Sequence, residues 1–343
     1  MPRARDLGIR IGDLEPGPLD AITDIAGTRV GHTTLVEGHD VRTGVTVVVP
    51  EELPLFAGCH TLNGNGELTG LEWVRESGLL TTPVGLTNTF SVGVVRDAIV
   101  ASQDAKGVAD WHLPVVGETW DGVLNDIAGM HVTAAHTHAA LAGASDGPVA
   151  EGAVGSGTGM IAHGFKGGIG TASRVTEDGY TIGVLVQANH GRRPRLSIDG
   201  VAVGREVGPD RVPLPPRPDD ASGSIIVLVA TDAPLLPHQC DRVAQRAALG
   251  VARTGGAGEN SSGDLILAWS TANAIGKGST HAVTMLANER IDQVFYAAID
   301  ATEEAIVNAL LAAETTTGRG GATAHRLEPE LLADVLARHR LPA

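Results

Sequence analysis

The chain has 343 residues and a formal net charge of −15, which disfavours a nucleic-acid-binding protein because such proteins normally carry a basic face. Hydrophobic residues make up 43% of the chain and aromatic residues only 3%, so the composition suits a large core built mainly from aliphatic side chains. The two cysteines, Cys59 and Cys240, imply neither a disulfide framework nor a cysteine zinc cluster.

The sequence shows no sign of a membrane or secretion segment. No run approaches the roughly 18 apolar residues of a membrane helix, and residues 1–6 lack the apolar segment of a signal peptide. We therefore expect a cytoplasmic protein with no membrane partner.

Apolar runs of strand length alternate with longer helical patterns, which predicts an α/β protein. The predicted strands lie at 45–50, 83–89, 113–116, 181–188, 224–231 and 265–270. The predicted helices lie at 71–76, 92–105, 132–144, 291–312 and 327–341. A further helix is predicted from a cap at Asp232 to about Leu249. Residues 209–223 are rich in proline, aspartate and arginine, which predicts a surface excursion. Because no repeat and no interdomain linker is evident, we expect one domain over 1–343.

Two segments are rich in glycine. Residues 62–70 alternate glycine with small polar residues, which fits either a plain connecting loop or a backbone-rich wall of a substrate site. Residues 152–174 are similar to a phosphate-binding loop, but they lack its Gly-Lys-Ser/Thr ending and no strong strand precedes them. Nucleotide binding is therefore disfavoured.

Several polar side chains follow predicted strands, at positions that often face a site in layered α/β folds. Glu118 and Trp120 follow the strand at 113–116, and Asn189 follows the strand at 181–188. A side-chain amide at such a position can donate to an oxyanion. The alternatives are a solvated loop carboxylate for Glu118 and a turn residue for Asn189.

The sequence predicts no metal site and no cofactor. His136 and His138 are two apart on a predicted helix, so they point to different faces and do not form a metal pair.

The strongest chemical signal lies where the glycine-rich loop 253–259 meets the strand at 265–270. Ser261 and Ser262 stand at this junction, and strained loop-to-strand junctions are common places for a nucleophile. A serine hydroxyl can attack the carbonyl of the preceding residue and cut the chain through an ester. The new α-amine, with a pKa near ~8, can then act as a general base. The alternative is a pair of ordinary turn serines.

The chain resembles the L-aminopeptidase/D-Ala-esterase/amidase family, which includes the β-peptidyl aminopeptidases. The resemblance rests on a set of short motifs that occur in the same order along nearly the whole chain. The motifs are LNGNGE at 62–67, SVGVVRD at 91–97, GTGM at 157–160, FKGGIG at 165–170, VQAN at 186–189, ATDAP at 230–234 and SGD at 262–264. The resemblance implies a four-layer αββα sandwich, similar to that of the N-terminal nucleophile hydrolases but with the strand connectivity of this family and of the ornithine acetyltransferases. It also implies a precursor that cuts itself between Ser261 and Ser262, giving chains 1–261 and 262–343.

The family's functional residues match positions of this sequence one by one. Ser262 matches the nucleophile and base, and Asn189 matches a member of the oxyanion hole. Glu118 matches an acid near the substrate amine, and Trp120 matches a position that is tyrosine in some members and donates a hydrogen bond to the oxyanion. The family pattern usually has glycine where this chain has Ser261, whose side chain restricts the backbone and predicts slower cleavage.

Thr302 and Glu304 match a hydroxyl and a carboxylate that orient the serine amine and hydroxyl. These two residues are two apart, so they do not share a face inside a regular helix. If both reach the site, they must lie near the start of the helix or at a break in it.

The resemblance implies an aminopeptidase that acts on short peptides, amides or esters, working without a cofactor as a homo-oligomer of two-chain units. Two alternatives stay open. An acyl transferase similar to the ornithine acetyltransferases shares the architecture but uses threonine as its nucleophile, and a catalytically silent oligomeric scaffold needs none of these side chains.

Overall fold

A computed structural model describes residues 1–104, 111–216, 223–273, 275–276 and 278–339 of the chain. The strands are β1 (Thr28–Glu37), β2 (Val41–Pro50), β3 (Leu55–Gly64), β4 (Leu79–Leu80), β5 (Val84–Asn88), β6 (Val115–Thr119), β7 (Ile161–Ala162), β8 (Phe165–Lys166), β9 (Gly168–Val175), β10 (Thr181–Ala188), β11 (Ile225–Thr231), β12 (Gly263–Ser270), β13 (Thr316–Thr317) and β14 (Thr323–Ala324). The α-helices are α1 (Leu71–Ser77), α2 (Val92–Asp104), α3 (Ala134–Ala142), α4 (Val203–Glu206), α5 (Pro237–Arg253), α6 (Asp292–Ala312) and α7 (Pro329–His339).

Two large sheets form the centre of the fold. The smaller has the order β1-β2-β5-β6 and the larger has the order β4-β3-β12-β11-β10-β9. The pairs β5–β6 and β11–β12 are parallel, and the other pairs within these two sheets are antiparallel. Helices α2 and α3 pack on the smaller sheet, while α5 and α6 pack on the larger one.

Aliphatic side chains fill the space between the sheets, as the low aromatic content predicts. Val48 and Leu86 of the smaller sheet share one buried cluster with Leu228, Leu267 and Trp269 of the larger. Separate clusters lie between each sheet and its helices. The layers therefore run helix, sheet, sheet, helix, which confirms the predicted αββα sandwich.

The strands and most of the helices predicted from the sequence are present, but the predicted start of α5 is wrong. The carboxylate of Asp232 accepts a hydrogen bond from Thr181 N at 2.7 Å and caps no helix. The helix begins at Pro237 instead, where the missing N–H of proline costs nothing. Gln239 Oε1 accepts from Leu236 N at this end.

Three other predicted segments extend past the described residues. The helix at 92–105 includes residue 105, the surface excursion at 209–223 includes residues 217–222, and the helix at 327–341 includes residues 340–341, all outside the described residues. In the described part of the chain, no helix is both long enough and apolar enough to cross a membrane.

The register of the larger sheet brings several strand ends to one edge. Asp264 of β12 lies opposite Ile225 of β11, and Ile225 lies opposite Ala188 of β10. On the other side of β12, Gly263 lies opposite Gly64 at the end of β3. The residues just before β11 and β12 and just after β3 and β10 therefore meet at this edge.

Candidate active site

Ser262 lies immediately before β12 and is 1% exposed. Its Oγ donates a hydrogen bond to Asp264 Oδ1 at 2.5 Å, and its N–H donates to Glu259 O at 2.7 Å. Residues two apart along an extended chain point to the same side, so the side chains of Ser262 and Asp264 meet at the start of β12. The hydroxyl that the sequence predicts to be a nucleophile therefore faces a buried carboxylate.

The pKa of the Asp264 carboxyl is raised toward neutral pH. Burial raises its pKa to about 6, the hydrogen bond from Ser262 lowers it, and the nearby charge of Glu259 raises it. A carboxyl with this pKa is mostly ionised at pH 7, so it can accept the proton of the serine hydroxyl.

The backbone around Ser262 is fixed from two sides. Gly263 N donates to Ser224 Oγ at 3.0 Å, which ties β12 to the residue just before β11. Asn63 Nδ2 donates to Ser262 O and to Glu259 O. These contacts hold the carbonyl and the following amide of Ser262 in one orientation.

Asn189 is linked to the same group of hydrogen-bonded residues around Ser262. Its backbone N–H donates to Ser224 O at 3.0 Å, so a single serine links it to Gly263. In the side chain, Oδ1 accepts from Ile161 N at 2.8 Å and Nδ2 donates to Trp120 O at 2.9 Å. One neighbour is a donor and the other an acceptor, so the orientation of the Asn189 amide is determined.

Glu118 is a buried residue of β6 and is 3% exposed, so its alternative interpretation as a solvated loop carboxylate is wrong. Its Oε1 accepts from Glu67 N at 2.9 Å, and its Oε2 accepts from Thr89 Oγ1. Burial raises the pKa of this carboxyl, while the two hydrogen bonds lower it. The carboxylate is therefore positioned by neutral donors on two sides.

Gly66 connects Glu118 with the nucleophile segment. A Cβ at this position would lie 3.0 Å from Glu118 Oε1 and 3.0 Å from Gly263 Cα, so only glycine fits here without displacing one of them. Gly66 also lines a cavity of about 440 Å³ together with Gly64 and Leu265, and the lining of this cavity does not include Ser262, Glu118 or Asn189. The position of Gly66 between Glu118 and Gly263, rather than this cavity, favours the interpretation of segment 62–70 as the wall of a site.

Trp120 follows β6, and 36% of it is exposed. Its carbonyl accepts the hydrogen bond from Asn189, and its indole lies against Gly122. The structure thus brings Ser262, Asn189, Glu118 and Trp120 to one region, with Ser261 next to the nucleophile.

Thr302 and Glu304 are not brought to this region. Both lie in the buried middle of α6, which shows neither a break nor an early start near them. The hydroxyl of Thr302 donates to Ala298 O at 2.6 Å, and its Cβ faces Gly250 of α5.

Glu304 faces the opposite side of α6. Its carboxylate contacts Arg174 Nη2 at 2.5 Å and Arg5 Nε at 3.2 Å. Arg174 belongs to β9, three strands from β12, and the sheet register places it level with Ser270, at the end of β12 remote from Ser262. In this geometry neither Thr302 nor Glu304 orients Ser262 by direct contact.

Sequence reasoning did not single out three polar residues that contact the nucleophile segment, namely Asp264, Ser224 and Asn63. Asp264 lay inside the SGD motif, and Asn63 lay inside LNGNGE. The available signal was their position beside strand ends that share one sheet edge. Within the described ranges, no group of three or more His, Cys, Asp or Glu side chains is placed to hold a metal ion.

Comparison with known proteins gives consistent likenesses. The profile of peptidase family S58 matches residues 20–324. The β-peptidyl aminopeptidase BapA of Sphingosinicella microcystinivorans is 48% identical, over 99% of this chain and 93% of its own length.

Two solved structures extend the likeness to three dimensions. A β-aminopeptidase from a Burkholderia species has a TM-score of 0.94 and 52% identity over 100% of both chains. The L-aminopeptidase D-Ala-esterase/amidase of Ochrobactrum anthropi, described as a new variant among the Ntn hydrolase fold, has a TM-score of 0.91 and 41% identity over 99% of each chain. These likenesses confirm the predicted resemblance in fold to the N-terminal nucleophile hydrolases.

Proposed function

Because the chain belongs to peptidase family S58 and is an aminopeptidase that hydrolyses peptide bonds, we propose that it is a self-processing serine enzyme with Ser262 as its nucleophile. One observation carries this proposal: the hydroxyl of Ser262 contacts a buried carboxylate at the sheet edge where Asn189 also lies, and Gly66 packs between this edge and Glu118 of the smaller sheet. The substrates are short peptides, amides or esters with a free N-terminal amine.

In the self-cleavage step, Ser262 Oγ attacks the carbonyl carbon of Ser261 while its proton passes to Asp264. The new C–O bond forms, the C–N bond to Ser262 breaks, and the proton moves to the leaving nitrogen. Water then hydrolyses the ester, leaving a carboxylate on Ser261 and an α-amine on Ser262. Asp264 acts as the base in this step, because Ser262 has no free α-amine before the chain is cut.

In the mature enzyme, the free α-amine of Ser262 takes the proton from its own hydroxyl as Oγ attacks the substrate carbonyl. Asn189 Nδ2 donates to the oxyanion. The leaving amine receives the proton from the α-amine, and water hydrolyses the resulting ester. Glu118 binds the substrate ammonium, which a carboxylate in a partly dry pocket holds well.

For the N-terminal residue of the substrate, we propose a β-amino acid. The support is the identity of 52% and 48% to relatives described as β-aminopeptidases, against 41% to the L-aminopeptidase. Rates on the p-nitroanilides of β-homoalanine, L-alanine and D-alanine test this choice, and an L-alanine substrate turned over faster than the β-homoalanine one overturns it.

We also propose a cytoplasmic homo-oligomer of processed two-chain units. Cys59 and Cys240 are buried and form no disulfide, which suits a reducing compartment. Light scattering coupled to size exclusion measures the assembly, and a mass equal to that of one processed unit contradicts it.

The decisive experiment is an intact-mass spectrum of the purified protein. The proposal predicts two species, 1–261 and 262–343, with the shorter chain beginning Ser-Gly-Asp. A pure and active protein that remains in one piece overturns it.

A further inference from the structure

Lys166 is a fully buried lysine at the end of β8, 0% exposed. Its ammonium donates to three backbone carbonyls, those of Gly157 at 3.0 Å, Met160 at 3.0 Å and Gly167 at 2.8 Å. Burial lowers the pKa of Lys166 to about 7, and in the protonated form all three N–H bonds of the ammonium are used by these carbonyls. No carboxylate pairs with it among the described residues.

One of these carbonyls belongs to the peptide group that contacts Asn189. The oxygen of the Met160–Ile161 peptide accepts from Lys166 Nζ at 3.0 Å and from Gly167 N at 2.9 Å. The N–H of the same peptide donates to Asn189 Oδ1 at 2.8 Å. Because hydrogen bonds in series polarise one another, a cation on the oxygen strengthens the N–H on the other side.

The series continues through the side chain of Asn189. Its amide oxygen receives the polarised N–H of Ile161, which withdraws electron density from Nδ2 and makes the N–H bonds there stronger donors. Trp120 O accepts from Nδ2. In the proposed function, the side-chain amide of Asn189 donates to the oxyanion.

We infer that Lys166 is a positioning residue of the oxyanion hole, acting on the reacting oxygen through the Met160–Ile161 peptide and the Asn189 amide. This inference rests on the proposed function, in which Asn189 donates to the oxyanion. The oxyanion exists only after nucleophilic attack, so the contribution of Lys166 is greater in the transition state than in the bound substrate.

The structure offers a matched control at the turn between β7 and β8. Arg193 is also buried and cationic, and it also donates to backbone carbonyls, those of His163, Gly164, Val207 and Val212. None of these carbonyls belongs to the Met160–Ile161 peptide. Replacing Arg193 therefore removes a comparable structural contact without interrupting the series to Asn189.

The test is a double-mutant cycle with Lys166→Met and Asn189→Ala, with Arg193→Met as the control. We measure kcat, KM and Tm for each variant, with kcat normalised to the processed fraction determined by mass. Where a variant is cut too slowly to give processed enzyme, its self-cleavage rate replaces kcat, because that step forms an oxyanion as well. Asn189→Ala should lower kcat by roughly 100-fold, as the loss of one oxyanion donor does.

Lys166→Met should lower kcat by about tenfold, because it weakens that donor without removing it. Its KM should change little, and it should have no further effect on kcat in the Asn189→Ala background. Arg193→Met should lower Tm with kcat retained. Lys166→Gln, which keeps two N–H donors but no charge, should lie between wild type and Lys166→Met.

The outcomes separate the two levels of the hypothesis. If Asn189→Ala leaves kcat unchanged, the oxyanion assignment in the proposed function fails and the inference about Lys166 fails with it. If Asn189→Ala lowers kcat but Lys166→Met does not, only the inference about Lys166 is overturned. Equal losses of kcat in Lys166→Met and Arg193→Met, or full additivity with Asn189→Ala, assign Lys166 a purely structural role.

Discussion

Two groups of buried carboxylates in this molecule differ in their partners. Glu118 of the smaller sheet and Asp264 of the larger sheet accept hydrogen bonds from hydroxyl and backbone N–H groups. Within the described residues, neither pairs with a lysine or an arginine. Such carboxylates keep a negative charge available for a substrate amine or a transferred proton.

The second group, called here the arginine cluster, consists of Asp20, Glu151 and Glu304 with Arg3, Arg5 and Arg174. Arg3 contacts Asp20 at 3.2 Å and Glu151 at 2.9 Å, and Glu304 contacts Arg5 and Arg174. These contacts join the N-terminal segment to β9 and α6. Their charges are already compensated, so the cluster holds elements together and has no charge to spare for a substrate.

The comparison shows why a buried carboxylate cannot be assigned to chemistry from its burial alone. Asp20 has its pKa raised to about 7 by burial and by the charge of Glu304, against the lowering effect of Ser173 N–H and Arg3. Asp264 has its pKa raised to about 6, also by burial first. The partner distinguishes the two residues: Arg3 beside Asp20, and a nucleophilic hydroxyl beside Asp264.

The largest expected effect concerns the nucleophile itself. Ser262→Ala removes the hydroxyl needed for self-cleavage and for substrate attack, so the chain should remain in one piece and kcat should fall to background. Intact mass and a p-nitroanilide assay measure both. The matched control is Ser261→Gly, which removes the restriction that the Ser261 side chain places on the backbone and should cut at least as fast as wild type. An alanine variant that still cuts at 261–262 assigns the attack to another group.

Asp264 should control the pH dependence of self-cleavage. The carboxylate is the active form, and its pKa is about 6, so the rate should be low at pH 5, rise through pH 6 and level off above pH 7. Asp264→Asn cannot accept the proton and should cut roughly 100-fold more slowly, within the usual range for losing a general base. The measurement is the fraction cut against time, starting from uncut protein.

A control separates the charge of Asp264 from its shape. Asp264→Glu keeps the carboxylate and should retain a rise of rate with pH, whereas Asp264→Asn should give a flat profile. If Asp264→Asn retains the same rise through pH 6, another group is the base and Asp264 only fixes the rotamer of Ser262.

The positions of Ser262, Asn189 and Glu118 could be predicted because each is tied to a strand end, and strand register brings such ends together. Asp264 was missed although strand alternation gives a signal for it, because residues two apart at the start of a strand, such as Ser262 and Asp264, point to the same side. The structure does not place Glu304 beside Ser262, and the spacing of Glu304 from Thr302 already indicated why. Two residues apart on an unbroken helix, Thr302 faces α5 and Glu304 faces β9.

The next effect concerns recognition of the substrate amine by Glu118. Glu118→Gln removes the charge while keeping similar size, so kcat/KM on free-amine substrates should fall by the equivalent of about 1–3 kcal/mol. Self-cleavage should be unaffected because it involves no external amine. N-acetylated substrates should be poor with wild type and should lose little more in the variant. A Glu118→Gln enzyme that hydrolyses free-amine substrates as fast as wild type contradicts this role.

The smallest expected effect on catalysis is that of Glu304→Gln. This variant tests directly whether Glu304 belongs to the structural arginine cluster or to the carboxylates that act on Ser262 and the substrate. The carboxylate and Arg174 are both fully buried, so removing the charge of Glu304 breaks this pair and leaves Arg174 with Asp20, at 3.7 Å, as its remaining carboxylate partner. A loss of about 3–5 kcal/mol in the free energy of unfolding is the usual cost of breaking a buried pair. Tm should therefore fall, while kcat of the processed protein, assayed well below that Tm, should match wild type.

Thr302→Val supplies the companion to that variant, since its hydroxyl donates within α6 to Ala298 O. It too should retain kcat, with a smaller loss of stability because one neutral hydrogen bond contributes only about 1 kcal/mol. The opposite pattern is equally clear. If Glu304→Gln keeps its Tm but loses kcat, the carboxylate reaches the nucleophile in the working enzyme, and the division between catalytic and structural carboxylates drawn here is wrong at Glu304.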